Sequence, residues 1–197
     1  MAAAASLRRA AGSGRAQHRR LFSSAAAPSD VVIVSAARTP IGSFGGTLSK
    51  MSAPALGSVA VAAAIERAGI TGADVGEVYL GNVLPANAGQ APSRQIALGA
   101  GIPESVPTTD VNKVCASGMK TMMFAAQSIL LGYEDTVVAG GFESMSNVPC
   151  YLEKGVPAYG HAQLQDGLLK DGLTDVYNKV HMVRPAPAPL AAARCAG

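Results

Sequence analysis

The sequence predicts an α/β fold, a mixed, largely parallel sheet with helices on both faces, and three observations predict it. Short apolar runs rich in β-branched residues alternate with stretches of helical periodicity. The first of these runs, Val31-Val32-Ile33-Val34, is apolar at consecutive positions, as strands covered on both faces are. The 197 residues are 49% hydrophobic and only 15% charged, a balance that supports a well-buried core.

Residues 30–36 form the first core strand, and Ala37-Arg38-Thr39-Pro40-Ile41-Gly42 breaks it in a turn. Residues 55–68 carry Leu56, Val59, Ala60, Ala63 and Ile65 at helical spacing and stop at Gly69. A second strand covers residues 75–84. After a loop at residues 85–90, a short helix opens with Pro92 in its first turn. Residues 105–111 form a third strand that leads into the central helix. There Met119, Met122, Met123, Ala126, Ile129 and Leu130 recur at three- and four-residue spacing with Lys120 as the one charge, so the helix is expected to be largely buried. Gly132 is its expected left-handed cap and Asn112 a candidate N-terminal cap. Residues 135–141 make a fourth strand ending on Gly140-Gly141. From Val148 to Met182 the alternation is lost and glycine, proline and polar residues increase.

The formal charge of +3 is unevenly placed. Residues 1–27 hold Arg8, Arg9, Arg15, Arg19 and Arg20, no acidic residue and many alanines and serines, the composition of a mitochondrial transit peptide. Without those five arginines, 11 basic residues face 13 acidic ones, a net of −2, so no nucleic-acid partner is expected. No apolar run is long enough to span a bilayer, and no membrane partner is expected either. Cys115, Cys150 and Cys195 provide neither a disulfide framework nor metal-ligand spacing.

Cys115 falls in or beside the first turn of the central helix. A thiol there meets unpaired backbone N–H groups and the positive end of the helix dipole, an environment that lowers a cysteine pKa from about 8.5 into a range of roughly 4–7.5. Position alone leaves a second reading open, a small inert cysteine in the core. Glu143, beside two glycines and two serines, reads as a structural carboxylate accepting backbone hydrogen bonds. A lone histidine such as His181 is more often structural than a ligand contact, and Arg94 reads equally as an exposed first-turn residue.

Asn112-Lys113-Val114-Cys115-Ala116-Ser117-Gly118-Met119-Lys120 resembles the nucleophile motif of the thiolases. The turn at residues 37–42 resembles that family's signature after its first strand. Gly140-Gly141-Phe142-Glu143-Ser144-Met145-Ser146-Asn147 resembles the segment that closes its half-domain core, with Phe142 where methionine is usual. The resemblance implies a thiolase-like N-terminal core at residues 28–147, the start of a loop domain at 148–182, and a low-complexity tail outside the family at 183–197. It implies no C-terminal half, and hence a truncated product whose tail arises from a shifted frame or an unspliced segment.

The activity implied is acyl transfer: an acetylated Cys115 takes part in condensing two acetyl-CoA to acetoacetyl-CoA and coenzyme A, or in the reverse thiolysis. Coenzyme A thioesters are then substrates, with no bound cofactor and no metal. In the family the base histidine, a second cysteine and an asparagine-bound water come largely from the C-terminal half. Leu173, His181 and Met182 match positions lining the coenzyme and acyl pocket. Gln90 and Arg94 match the dimer interface, implying a homo-oligomer, dimer or tetramer, in the mitochondrial matrix. The alternative is an inactive product that at most binds coenzyme A or pairs with full-length subunits.

Overall fold

The computed structural model describes residues 2–9, 30–155 and 159–183; the rest of the expected transit peptide, the tail from residue 184 and Cys195 lie outside the described residues. The chain divides into two compact units, Met1–Asn147 and Val148–Gly197.

The first unit is built on a five-stranded sheet of order β2-β1-β5-β3-β4. Four strands run in one direction: β2 (Val31–Arg38), β3 (Glu77–Gly81), β4 (Thr108–Val111) and β5 (Thr136–Phe142). The fifth, β1 (Ala2–Arg9), lies antiparallel to β2 on one side and β5 on the other. Parallel neighbours cannot be joined by a tight turn, so each connection carries a helix. These helices are α1 (Ala53–Ala68), α2 (Pro92–Gly99) and α3 (Ser117–Leu130).

The two faces of the sheet hold separate cores. On one, Leu56, Val61 and Ile65 of α1 and Ile96 of α2 pack on Val78, Leu80, Val138 and Phe142. On the other, Ala125 and Ile129 of α3 pack on Leu7, Val137 and Ala139, with Tyr79 and Met122 at the margin. The alternation of Val137, Val138 and Ala139 between faces is the two-residue period of a strand. It explains why β5 is apolar at consecutive positions; β2, expected to be covered on both faces, is instead an edge strand that leaves Val32, Ile33 and Val34 38%, 56% and 39% exposed. Each fully buried valine or leucine contributes about 1.5–3 kcal/mol relative to exposure.

Local chemistry sets the helix ends. The Ser52 side chain accepts from Ala55 N–H at 3.3 Å, and α1 stops at Gly69, whose φ of 66° is left-handed. Gly132 (φ 77°) ends α3 in the same way, with Tyr133 N–H donating to the Ser128 carbonyl at 3.0 Å.

Three further expectations are corrected. The central helix is not largely buried, since Met119, Met123 and Leu130 are 69%, 48% and 56% exposed. The face against the sheet is instead the small-residue stripe Ser117, Thr121, Ala125, Ser128 and Ile129. Small residues let α3 approach the strands closely, and periodicity identifies a helix without choosing between two usable stripes. Asn112 does not cap the helix. The N-cap residue is Ala116, with no side-chain cap bond, and Asn112 Oδ1 accepts from Val114 N–H at 2.9 Å, bracing the turn before it. Finally, residues 2–9 have a place inside the sheet that their composition did not indicate, with Ser6 and Leu7 buried.

In the second unit, β6 (Cys150–Tyr151) pairs with β7 (Gln165–Asp166), and a π-helical stretch, Leu168–Leu173, follows. Tyr151 donates its hydroxyl to Asp171 Oδ2 at 2.7 Å. Among the described residues no helix is long and apolar enough to cross a membrane.

Candidate active site

Parallel strands deliver their carboxyl ends to one edge of a sheet, where helix N-termini also point, and open α/β sheets bind ligands there. At this edge the segments following β3, β4 and β5 are knitted together. Asn82 N–H donates to the Val111 carbonyl at 3.1 Å, and Asn112 Nδ2 donates to the Val83 carbonyl at 3.3 Å. Asn82 Nδ2 lies 3.1 Å from the Phe142 carbonyl and 2.7 Å from Glu143 Oε1.

Cys115 stands on the turn between β4 and α3, two residues before the helix begins, and is exposed. The residue before it, Val114, has a φ of 48°, an outlier for a β-branched side chain that only firm support can hold. That support surrounds it. Ser117 accepts from Lys113 N–H at 2.9 Å and donates to the Val114 carbonyl at 2.6 Å, closing the turn from the helix side. Asn112 Oδ1 closes it from the strand side. Thr121, fully buried, donates its hydroxyl toward the Gly118 carbonyl at 2.7 Å and the Gly140 carbonyl at 2.8 Å, tying the first turn of α3 to β5.

Glycines make this approach possible. A Cβ at Gly81 would lie 2.7 Å from Ser117 Cβ and 3.0 Å from Gly118 N, and one at Gly141 would lie 3.3 Å from the Gly81 carbonyl oxygen. The turn is therefore wedged against the ends of β3 and β5, with its sulfur left open to solvent. Such a thiol can attack an electrophilic carbonyl carbon beside the N-terminal N–H groups of α3.

Glu143 is a brace, as its surroundings in the sequence suggested. Its carboxylate accepts from Asn82 Nδ2, from Val83 N–H at 2.9 Å and from Leu84 N–H at 3.3 Å. Burial pushes its pKa up, against the pull of those three donors. Asn82 Oδ1 is buried beside it with no hydrogen-bond partner among the described residues.

The remaining candidates fall elsewhere. Arg94, half-buried in the first turn of α2, donates to the carbonyls of Glu104 at 3.0 Å and Val106 at 2.7 Å, and the exposed Gln90 accepts from Gln95 Nε2 through its carbonyl at 2.9 Å. Leu173, His181 and Met182 come together within the second unit. There Met182 N–H donates to the Leu173 carbonyl at 2.9 Å, Thr174 bridges His181, and His181 Nδ1 accepts from Val183 N–H at 3.2 Å. Among the described residues no group of three acidic, histidine or cysteine side chains could hold a metal, and Cys115 and Cys150 are free thiols.

Sequence reasoning passed over Asn82, Ser117 and Thr121. The available signal was their spacing: Ser117 stands two residues after Cys115, and Thr121 one helical turn further along the face that meets Gly140.

Comparison with known proteins bears on the family and the fold. The family described as thiolase, N-terminal domain, matches residues 31–192. Mitochondrial acetyl-CoA acetyltransferase A of Xenopus laevis is 60% identical over 172 residues, which are 86% of this chain and 41% of that protein. Mitochondrial acetyl-CoA acetyltransferase of Homo sapiens is 60% identical over 153 residues, 78% of this chain and 36% of that one. A crystal structure of the Acat5 thiolase from Ascaris suum in complex with coenzyme A matches with a TM-score of 0.73 at 44% identity, covering 76% of this chain and 39% of the other. The chain thus spans about two fifths of the length of the relatives it matches. On the extent of the family match and the shared fold, the chain belongs to the thiolase family, through that family's N-terminal domain.

Proposed function

We propose that this chain carries the nucleophile of a thiolase-type acyl transfer, with Cys115 as the residue that becomes acetylated. The observation that carries this reading is the strained, braced turn that leaves the Cys115 sulfur exposed at the carboxyl edge of a parallel sheet. In the first half-reaction the thiolate attacks the carbonyl carbon of acetyl-CoA. A new carbon–sulfur bond forms, the old one breaks, and coenzyme A leaves as the thiolate and takes up a proton. In the second, the deprotonated α-carbon of another acetyl-CoA attacks the acetyl-cysteine to give acetoacetyl-CoA, and thiolysis runs backward through the same intermediate. Names of relatives support the substrate class and a mitochondrial site of action, which we take to be the matrix. Leu173, His181 and Met182 are the proposed coenzyme and acyl contacts, and Gln90 and Arg94 the proposed edge of a homo-oligomer interface.

A second reading has its own support. The described residues of the first unit include no histidine, and α3 presents Met119, Met123 and Leu130 to solvent. A chain in this state is an incomplete catalyst that binds coenzyme A or pairs with longer subunits. Peptide-resolved mass spectrometry after incubation with acetyl-CoA separates the two. An acetyl group on Cys115, lost in Cys115→Ala and absent from denatured chain, is expected if the first half-reaction survives. Without that adduct, the incomplete-catalyst reading stands.

A further inference from the structure

The segment whose composition reads as a basic leader is also the strand on which the sheet depends. In the order β2-β1-β5-β3-β4, β2 pairs among the described strands with β1 alone, so Ala2–Arg9 joins β2 to the rest of the sheet. Seven residue pairs hold β1 to β2 and seven hold it to β5. If β1 left, two long strand edges would be bared together.

The strand fits this place poorly. Alanine, which fills residues 2–5, is a weak strand former. Ser6 is 0% exposed, yet its hydroxyl has no hydrogen-bond partner. The register with β2 slips between Ser6 and Leu7, whereas the register with β5 is continuous. A groove of about 650 Å³ opens between Ile33 on one side of β1, Ala139 and Gly140 on the other, and Met122 of α3. Among the described side chains of the strand, Leu7 is the one in a core, against Ala125, Ile129 and Val137.

We propose that Ala2–Arg9 is an exchangeable closing strand: folded into the sheet it is withheld from any receptor that reads it as an extended basic leader, and its poor fit lets it leave. Folding and presentation of the leader then exclude each other, and loss of the segment opens the sheet at both β2 and β5. The occupant of the gap is this chain's own residues 2–9, held by main-chain pairing on both edges and by Leu7.

Two variants of the full chain test this, read by hydrogen exchange and by trypsin cleavage after Arg8 and Arg9. Ser6→Ala removes the partnerless hydroxyl, so cleavage after Arg8 and Arg9 should slow several-fold, along with exchange in β2 and β5. Leu7→Asp removes the anchor. Exchange should then rise at least tenfold in β2 and β5 together, while β3 and β4 keep their protection. Cleavage unchanged or faster in Ser6→Ala overturns the proposal. So does Leu7→Asp if β2 and β5 stay as protected as in the parent, or if protection is lost everywhere, since β1 would then be no separable strand.

Discussion

Gly81→Ala tests whether the Cys115 turn is held by close backbone packing. The added Cβ would sit 2.7 Å from Ser117 Cβ, 2.8 Å from the Ser117 carbonyl carbon and 3.0 Å from Gly118 N. Carbon contacts relax at about 3.5–4.0 Å, so β3 and the first turn of α3 must part by roughly 1 Å. Neither side yields cheaply, because Ser117 is pinned by two hydrogen bonds and Gly118 meets the intruder with its main chain. Overpacking of this kind costs about 1–3 kcal/mol, enough to change the folded-to-unfolded ratio roughly fivefold or more. In urea, where m is about 1–3 kcal/mol/M for small proteins, the midpoint should fall by an amount on the order of 1 M with m unchanged. The alkylation rate of Cys115 relative to Cys150 should change in the same variant, because the displaced turn carries the sulfur. Gly69→Ala is the control. Nothing lies within 4 Å of its Cβ position, so the cost comes from its φ of 66° alone, about 1 kcal/mol, and Cys115 should react as before. A Gly81→Ala shift under about 0.5 kcal/mol, the range of ordinary surface substitutions, would refute the packing argument.

Two further outcomes are expected. Thr121→Val deprives the Gly118 and Gly140 carbonyls of their buried donor and should cost about 1–3 kcal/mol in chemical denaturation, with Thr121→Ser keeping most of the stability; a loss in Thr121→Ser with none in Thr121→Val would mean the methyl, not the hydroxyl, is what matters. Glu143 is held above its ordinary 4.5 chiefly by burial, so the folded chain binds its proton more tightly than the unfolded one and stability is lost as pH rises from about 4.5 through the raised value. The midpoint difference, parent minus Glu143→Gln, should therefore shrink across that window, and a difference that grows with pH would reverse the assignment.

What the sequence disclosed was whatever a short window encodes. Strand β5 was legible because a two-faced strand must be apolar at every position, as Val137 and Val138 are, whereas the apolar run of β2 marked a strand but not its place, since at the sheet edge Val32, Ile33 and Val34 are exposed. The stops at Gly69 and Gly132 were legible because a left-handed residue favours glycine. The position of Cys115 ahead of a helix followed from the periodicity after it. The orientation of α3 did not, since Met119 and Thr121 each head an apolar or small-residue stripe and only the glycines at 81 and 141 decide which one meets the sheet. Ser117 and Asn112 were invisible as braces, because hydrogen bonds within a turn depend on a backbone conformation, Val114 at φ 48°, that composition does not announce. Strand β1 was hidden for a different reason: an alanine- and arginine-rich stretch lacks the pattern of a strand and takes its conformation from the two neighbours it joins.

The order in which the chain is made gives that strand a peculiar history. Ribosomes release residues 2–9 before the strands they pair with, and their partner β2 follows soon after at Val31–Arg38. The other partner, β5, ends at Phe142, so for most of synthesis one edge of the strand has no mate. A long-range pairing of this kind is slow to close. Until it closes, an Ala-rich ribbon with one open edge is available to chaperones and to other nascent chains alike. The first of these strands to emerge is thus among the latest to be secured.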